Sequence, residues 1–306
     1  MSDLLRLPPR EPLQQTWADA ANPLGLQGVE FVEYATDQPH ALADVLQRMG
    51  FAPVARHRSR EVMLYRQGGL NVVVNAHPDE ARRAQLGAAG RPVISALALR
   101  VRDARAAFEA ACEAGGWPVP PHAQVMELNI PAIHGVGGSR IYFVDRWREF
   151  SIYDVDFITL PQAVAQPPVW VPGLRFFGLV QYVGSGRSHD WIEFYRDLLG
   201  AQLIPDEQRY GIMPKGKLLA VPGDEPAQGF MLQLVEPEPF EPDGQERLQR
   251  IGLGVPDVLA AVQVLRQRGM EFVETAAAHT EPRGAITRTY LGSVVFELVH
   301  DPRGQS

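Results

Sequence analysis

The stretch "VRDARAAFEAACEAGG" (101–116) returns in other letters as "VPDVLAAVQVLRQRGM" (255–270), and this echo decides how the chain divides. In each copy a strand-like run ends on valine. An aspartate then stands where a carboxylate can accept from the first free N–H groups of a helix, and an apolar helical repeat follows that stops at glycine. Asp103 and Asp257 are therefore expected to be helix caps. A unit recurring in both halves marks a duplicated supersecondary module.

The same pattern extends outward from both copies. In the first half "GVEFVEYAT" (28–36) reads as a strand, "PHALADVLQRMG" (39–50) as a helix stopped by Gly50, and "VMLYRQGGLNVVVN" (62–75) as two strands around a Gly-Gly turn. The pattern restarts with "VISALALRV" (93–101), the helix from Asp103, and the closing strand "SRIYFVD" (139–145). The second half runs "RFFGLVQYV" (175–183), "HDWIEFYRDLLG" (189–200), "GKLLAVP" (216–222), "GFMLQLVEP" (229–237), "RIGLGVP" (250–256), the helix from Asp257, and "SVVFELVH" (293–300). Four βαβββ modules follow, paired into two half-open barrels of α+β class. "LPQAVAQPPVWVPG" (160–173), Pro-rich and without period, separates the halves. The expected boundaries are an N-terminal arm at 1–24, a first domain at 25–160, a linker at 161–173, a second domain at 174–301 and a tail at 302–306.

With 45% hydrophobic and 21% charged residues, the 306-residue chain has the balance of a globular protein with a sizeable core. Its net charge of −7 is spread along the sequence with no basic run, which argues against nucleic acid as a partner. No apolar run approaches the roughly 20 residues of a membrane span, and the N-terminal residues lack the form of a signal peptide. The single cysteine, Cys112, cannot form an internal disulfide and reads as a structural thiol. A cytoplasmic location is expected. The Gly-rich "IHGVGGSR" (133–140) leads into a strand rather than a helix and reads as a turn, not a phosphate loop.

Four segments carry a family resemblance: "PLGLQGVEFVEYAT" (23–36), "MGFAPVARHRSREVMLYRQGGLNVVVN" (49–75), "MELNIPAIHGVGGSRIYFVDRW" (126–147) and "SIYDVDF" (151–157). Through them the chain resembles the vicinal oxygen chelate (glyoxalase/bleomycin resistance/dioxygenase) superfamily, and within it the 4-hydroxyphenylpyruvate dioxygenases. The resemblance implies two vicinal-oxygen-chelate domains. The first would serve as scaffold and assembly surface, making a homo-oligomer through the N-terminal domain the default, and the second would carry the chemistry.

In that family two histidines and one glutamate hold iron, leaving three positions open for a 2-oxo acid and dioxygen. Anchored on "WIEFY" and on Gly186-Arg187, the first histidine position falls here on Gly178. The second, which follows a glutamine, falls on Arg250 after Gln249, and only the glutamate survives, as Glu297 in "GSVVFELVH" (292–300). Glycine has no ligand atom, and a guanidinium is protonated under ordinary conditions. Gln181 and His300 lie three residues from ligand positions, so strand alternation turns both away. His189 reads as an exposed residue at a helix start and His279 as a loop residue. His57, His77, His122 and His134 belong to the scaffold half. The family's chain also continues into a helix that closes over the site, whereas this one ends at "FELVHDPRGQS" (296–306), a second departure from the dioxygenase pattern.

The resemblance, taken with these departures from it, implies a C-terminal barrel that binds a small, aromatic organic acid, diverged from the iron reaction. Arg250 and Glu297 are the candidate catalytic pair, either pairing with each other or with Arg250 taking over the metal's charge and Glu297 moving protons. Gln249, Tyr182, Gln233 and Arg288 are candidate ligand contacts; Phe176, Met231 and Tyr290 could join them. No resident cofactor is expected, with Fe(II) or another divalent metal at Glu297 as the alternative. Three functions compete: a metal-independent isomerase or lyase, a binding or resistance-type protein, and a working dioxygenase with an unusual metal site. A metal-independent enzyme would lose turnover in Arg250→Ala and Glu297→Gln with its melting temperature nearly unchanged.

Overall fold

The computed structural model describes residues 21–78, 90–120, 128–148, 150–161, 170–206, 208, 210–212, 215–238 and 244–305. Most of the expected arm and linker, and His122, lie outside them. In the first half the elements are β1 (Leu26–Ala35), α1 (Pro39–Arg48), β2 (Ala52–His57), β3 (Val62–Gln67), β4 (Leu70–Asn75), β5 (Val93–Val101), α2 (Ala104–Glu113), β6 (Ala132–His134), β7 (Arg140–Val144), α3 (Ile152–Asp156) and β8 (Phe157–Thr159). The second half has β9 (Arg175–Tyr182), α4 (Ser188–Leu199), β10 (Gln202–Leu203), β11 (Lys217–Val221), β12 (Phe230–Val235), β13 (Arg247–Val255), α5 (Val258–Gln267), β14 (Gly284–Ile286) and β15 (Phe296–His300).

Each half forms one mixed sheet, in the orders β6-β7-β5-β1-β4-β3-β2-β8 and β10-β11-β12-β9-β13-β15-β14. The opening strands of the two modules pair antiparallel at the centre, β1 with β5 and β9 with β13. Each has its own module's last strand parallel on its outer side. A parallel neighbour needs a crossover connection, which the helix of each module begins. These are two vicinal-oxygen-chelate domains. In the fourth module one expected strand shrinks to an isolated bridge between Phe272 and Thr287.

Both aspartates of the echoed stretch cap their helices: Asp103 accepts from the Ala106 N–H at 2.9 Å and Asp257 from the Ala260 N–H at 3.0 Å. Asp103→Ala and Asp257→Ala are each expected to lower stability by about 1 kcal/mol in urea titration. An unchanged midpoint in both would show that these caps contribute nothing. The Gly-rich segment is a turn, a short 3-10 piece at Val136–Gly138 with Gly137 and Gly138 at positive φ.

One continuous core joins the outer sheet faces to the helices of both halves, through Leu42 and Leu46 of α1, Ala107 and Ala111 of α2, Leu198 and Leu199 of α4 and Val262 and Leu265 of α5. The concave faces hold separate clusters, around Phe31, Val73 and Phe157 in the first domain and Phe177, Met231 and Val299 in the second. The sheets are thus pinned from outside, and their interiors remain as cups.

The chain end is stapled to the second sheet. Asp301, wholly buried after β15, meets Arg303 at 2.9 Å and Arg175 at 3.2 Å. Burial pushes the Asp301 carboxyl up, but Arg303, by hydrogen bonds and charge, and Arg175 together hold it below the usual carboxylate range. Arg175 is itself pushed down to about 10, first by burial and then by Arg303, against the pull of Asp301. A depressed carboxylate stabilises the fold above its unfolded pKa of about 3.9, and that stability is lost as pH falls through the folded value. Asp301→Asn should therefore cost about 1.5–3 kcal/mol at neutral pH, with the gap to wild type closing in acid. A gap that persists to pH 2 would contradict this.

Candidate functional site

Arg250 and Glu297 meet inside the second cup. β13 and β15 run parallel with Gly252 opposite Glu297. On its other side, β13 pairs Leu248 with Gln181 and then Arg250 with Val180. Gln249 is therefore the extra residue of a β-bulge, a device that re-aims the side chains beside it. The Arg250 Nε donates to Glu297 Oε2 at 2.8 Å and Nη1 donates to Gln249 Oε1 at 3.3 Å. Arg250 and Glu297 are only 4% and 5% exposed, so the pair is a desolvated one.

The backbone has closed on the neighbouring strand. A Cβ placed on Gly178 would lie 2.1 Å from the Met231 carbonyl oxygen, so β9 and β12 approach here only because position 178 has no side chain. Gly211, at φ +69, comes equally close from the loop after β10: a Cβ there would lie 2.3 Å from Glu297 Oε1. One carboxylate oxygen thus faces the guanidinium while the other lies under a glycine.

Two cavities adjoin the pair. On the Glu297 side, between Gly178, Met231 and Tyr210, the free volume is about 60 Å³. That is room for a few waters and far below the roughly 300–1,000 Å³ of ordinary ligand pockets. On the Arg250 side, a cavity of about 350 Å³ is lined by Tyr182, Lys215, Gln233, Glu236, Arg247 and Arg250 among others. The Gln233 Nε2 donates to the Lys215 carbonyl at 2.5 Å, and both residues border both cavities. The Arg247 guanidinium lies over the Tyr182 ring, 5.1 Å from its centroid, and Lys215 pairs with Glu238.

Of the residues singled out in the sequence, Arg250, Glu297, Gln249, Tyr182 and Gln233 come together, and Met231 joins the small cavity. Arg288 does not: it lies exposed and pairs with Glu271 at 3.1 Å, because the short β14 ends at Ile286 and the chain turns outward before reaching it. Tyr290 is also elsewhere, its hydroxyl accepting from the Glu271 N–H under the Arg48 guanidinium. Phe176 faces the helices and packs on Phe230. Gln181 and His300 turn away as alternation requires: Gln181 is wholly buried against α4, accepting from the Tyr195 hydroxyl, and His300 is exposed. His189 and His279 are exposed as well. Sequence reading missed Lys215, Arg247 and Gly211. The glycines of "YGIMPKGK" (210–217) signal a loop that passes close to something, but only the register of β13 on β9 reveals Arg247 opposite Tyr182.

Residues 20–158 match the family described as hydroxyphenylpyruvate dioxygenase, N-terminal, and residues 182–305 match the glyoxalase/bleomycin resistance protein/dioxygenase superfamily. A 4-hydroxyphenylpyruvate dioxygenase of Pseudomonas aeruginosa is 32% identical over 85% of this chain and 75% of its own. The chain belongs to the 4-hydroxyphenylpyruvate dioxygenase family. Another relative, hemolysin VllY of Vibrio vulnificus, is 36% identical over 84% of this chain and 74% of that protein. A solved 4-hydroxymandelate synthase variant from Streptomyces coelicolor shares the fold, with a TM-score of 0.68 at 19% identity over 90% of this chain and 93% of that one.

Members of the 4-hydroxyphenylpyruvate dioxygenase family typically depend on Fe(II), and the residues here do not fit that metal. Gly178 offers no donor, and the Met231 carbonyl stands where a side chain would begin. Arg250 brings a positive charge to the position that the resemblance implies for the second ligand, and Glu297, implied as the third, is engaged by it. Among the described residues no other cluster of three His, Cys, Asp or Glu could replace the set. The melting-temperature expectation must also change. With both partners about 95% buried, removing either one strands the other, so loss of activity in Arg250→Ala or Glu297→Gln would come with loss of stability.

Proposed function

We propose that the C-terminal barrel binds a small aromatic organic acid on the Arg250 side, without the iron of its relatives. The observation that carries this is the orientation of Arg250. Glu297 and Gln249 fix its Nε and Nη1, and Nη2 has no partner among the described residues, while the residue lines the cavity of about 350 Å³. A guanidinium held in this way presents donors to a carboxylate at little further cost in side-chain freedom. The Tyr182 ring beneath Arg247 supplies an aromatic wall at the same mouth.

Calorimetry tests both halves of the reading. Anaerobic titration with Fe(II) should show no one-to-one binding, whereas 4-hydroxyphenylpyruvate should bind once per chain and weaken at least about tenfold in Tyr182→Ala and Arg247→Gln. Tight Fe(II) binding that Glu297→Ala abolishes would restore the iron-dependent reading. Failure of 4-hydroxyphenylpyruvate and phenylacetate alike to bind would remove the organic-acid reading.

A further inference from the structure

The first domain, for which the resemblance implies the part of a scaffold, also holds a cavity of about 410 Å³ inside its cup. That volume lies within the roughly 300–1,000 Å³ of ordinary ligand pockets. The sequence echo shows what the two cups share. Aligning Val101 with Val255 puts Ser95 on Gln249, and both are bulged residues. β5 pairs Ile94 with Tyr34 and Ala96 with Glu33, which leaves Ser95 out of the ladder as Gln249 is left out of it in β13. In each cup the bulged side chain holds a charged neighbour. Gln249 accepts from Arg250, and the Ser95 hydroxyl donates to Glu33 Oε1 at 2.7 Å.

The charge is opposite, and in the first cup it is not answered. Glu297 reaches Arg250 from the position of β15 opposite Gly252, whereas the matching position of β7, opposite Ala98, holds Tyr142. Glu33 is 8% exposed and lines the cavity, with no cation paired to it and no hydrogen bond to its Oε2 among the described residues. The arginines that line the same cavity are placed elsewhere. Arg140 stands two strands away on β7, roughly 10 Å at the usual strand spacing, with its Nη1 donating to the Tyr142 hydroxyl. Arg105 is exposed and pairs with Glu109 at 2.9 Å, and Arg60 lies beyond β4, in the turn between β2 and β3. A buried carboxylate held by one neutral hydrogen bond has lost much of its hydration without gaining a counter-charge. The rings of Phe31 and Tyr142, 6.1 Å apart, and of Phe157 give the cavity aromatic walls.

We infer that the cup of the first domain is a second ligand site, for a primary aromatic amine bound as its ammonium ion. The ammonium sits on Glu33 Oε2 and the ring lies against Phe31, Tyr142 and Phe157. A charge-assisted hydrogen bond of about 2.8 Å supplies the counter-charge that Glu33 lacks. The cavity leaves room for waters on the remaining N–H groups of the ammonium. An organic acid of the kind that Arg250 attracts would bring a second negative charge to Glu33, so this cup rejects what the other one takes.

The test is calorimetric titration of the full chain with phenethylamine and with phenethyl alcohol, which has the same ring and chain length but no charge. The amine should bind once per chain, at least about tenfold more tightly than the alcohol. Glu33→Gln keeps the length of the side chain and an oxygen for the Ser95 hydroxyl, so its far-ultraviolet dichroism should match wild type. In that variant the amine should weaken at least about tenfold and lose its advantage over the alcohol. Tyr182→Ala, in the other domain, should leave amine binding unchanged. No binding of phenethylamine at millimolar concentration overturns the inference. Amine binding that is indifferent to Glu33→Gln, or that Tyr182→Ala abolishes, overturns it as well, the latter by placing the amine in the second cup.

Discussion

Glu297→Leu should destabilise the protein by about 3–5 kcal/mol, because it leaves the Arg250 guanidinium buried with only a 3.3 Å contact to Gln249. The double variant Arg250→Met/Glu297→Leu should recover most of that loss, since apolar groups of similar volume often replace a buried ion pair without penalty. Urea titration of wild type, both single variants and the double variant closes the cycle. A single variant as stable as wild type would show that the surviving partner reaches water, and the pair would then be loose enough to take up a metal or a proton. If the coupling is as strong as its burial implies, a loss of ligand binding in Arg250 variants has to be separated from unfolding, which is why Tyr182 and Arg247 are the better probes of the acid site.

Gly178→His, which puts a histidine where the resemblance implies the family's first ligand, should not create an iron site. The new Cβ would lie 2.1 Å from a backbone oxygen of β12, where no rotamer relieves the contact and the strand pairing of Met231 with Gly178 must open. A cost of about 3 kcal/mol or more is expected, at or above the top of the usual range for overpacking. Gly178→His/Arg250→His, which completes the two-histidine, one-glutamate set on paper, should therefore be poorly folded and should fail to bind Fe(II) in anaerobic calorimetry. A folded double variant that binds one Fe(II) per chain would show that β9 can move away from β12, and that only side chains, not the backbone, separate this protein from its iron-dependent relatives.

The candidate site was legible in the sequence to the extent that its chemistry is local. Gly178, Gln249, Arg250 and Glu297 were each identified from short segments, because a ligand position is tied to its strand and its neighbours along the chain. The placement of Arg288 and Phe176 was not legible. Alternation says that successive residues face opposite ways without saying which way is inward, and a short β14 followed by an outward turn carried Arg288 to the surface. The bulge at Gln249 is an irregularity of pairing, visible only when β13 is laid beside β9.

By itself, the sequence determined the repeated βαβββ modules and the two capped helices, since these rest on residue type, period and spacing along one segment. The tertiary structure alone decided the rest. It set Arg250 on Glu297 beneath a closed β9–β12 backbone, divided the second cup into a small and a large cavity, and left a cavity of about 410 Å³ in the first cup. Those outcomes depend on which strands lie side by side and how closely their backbones approach, and contacts between residues distant in sequence fix both.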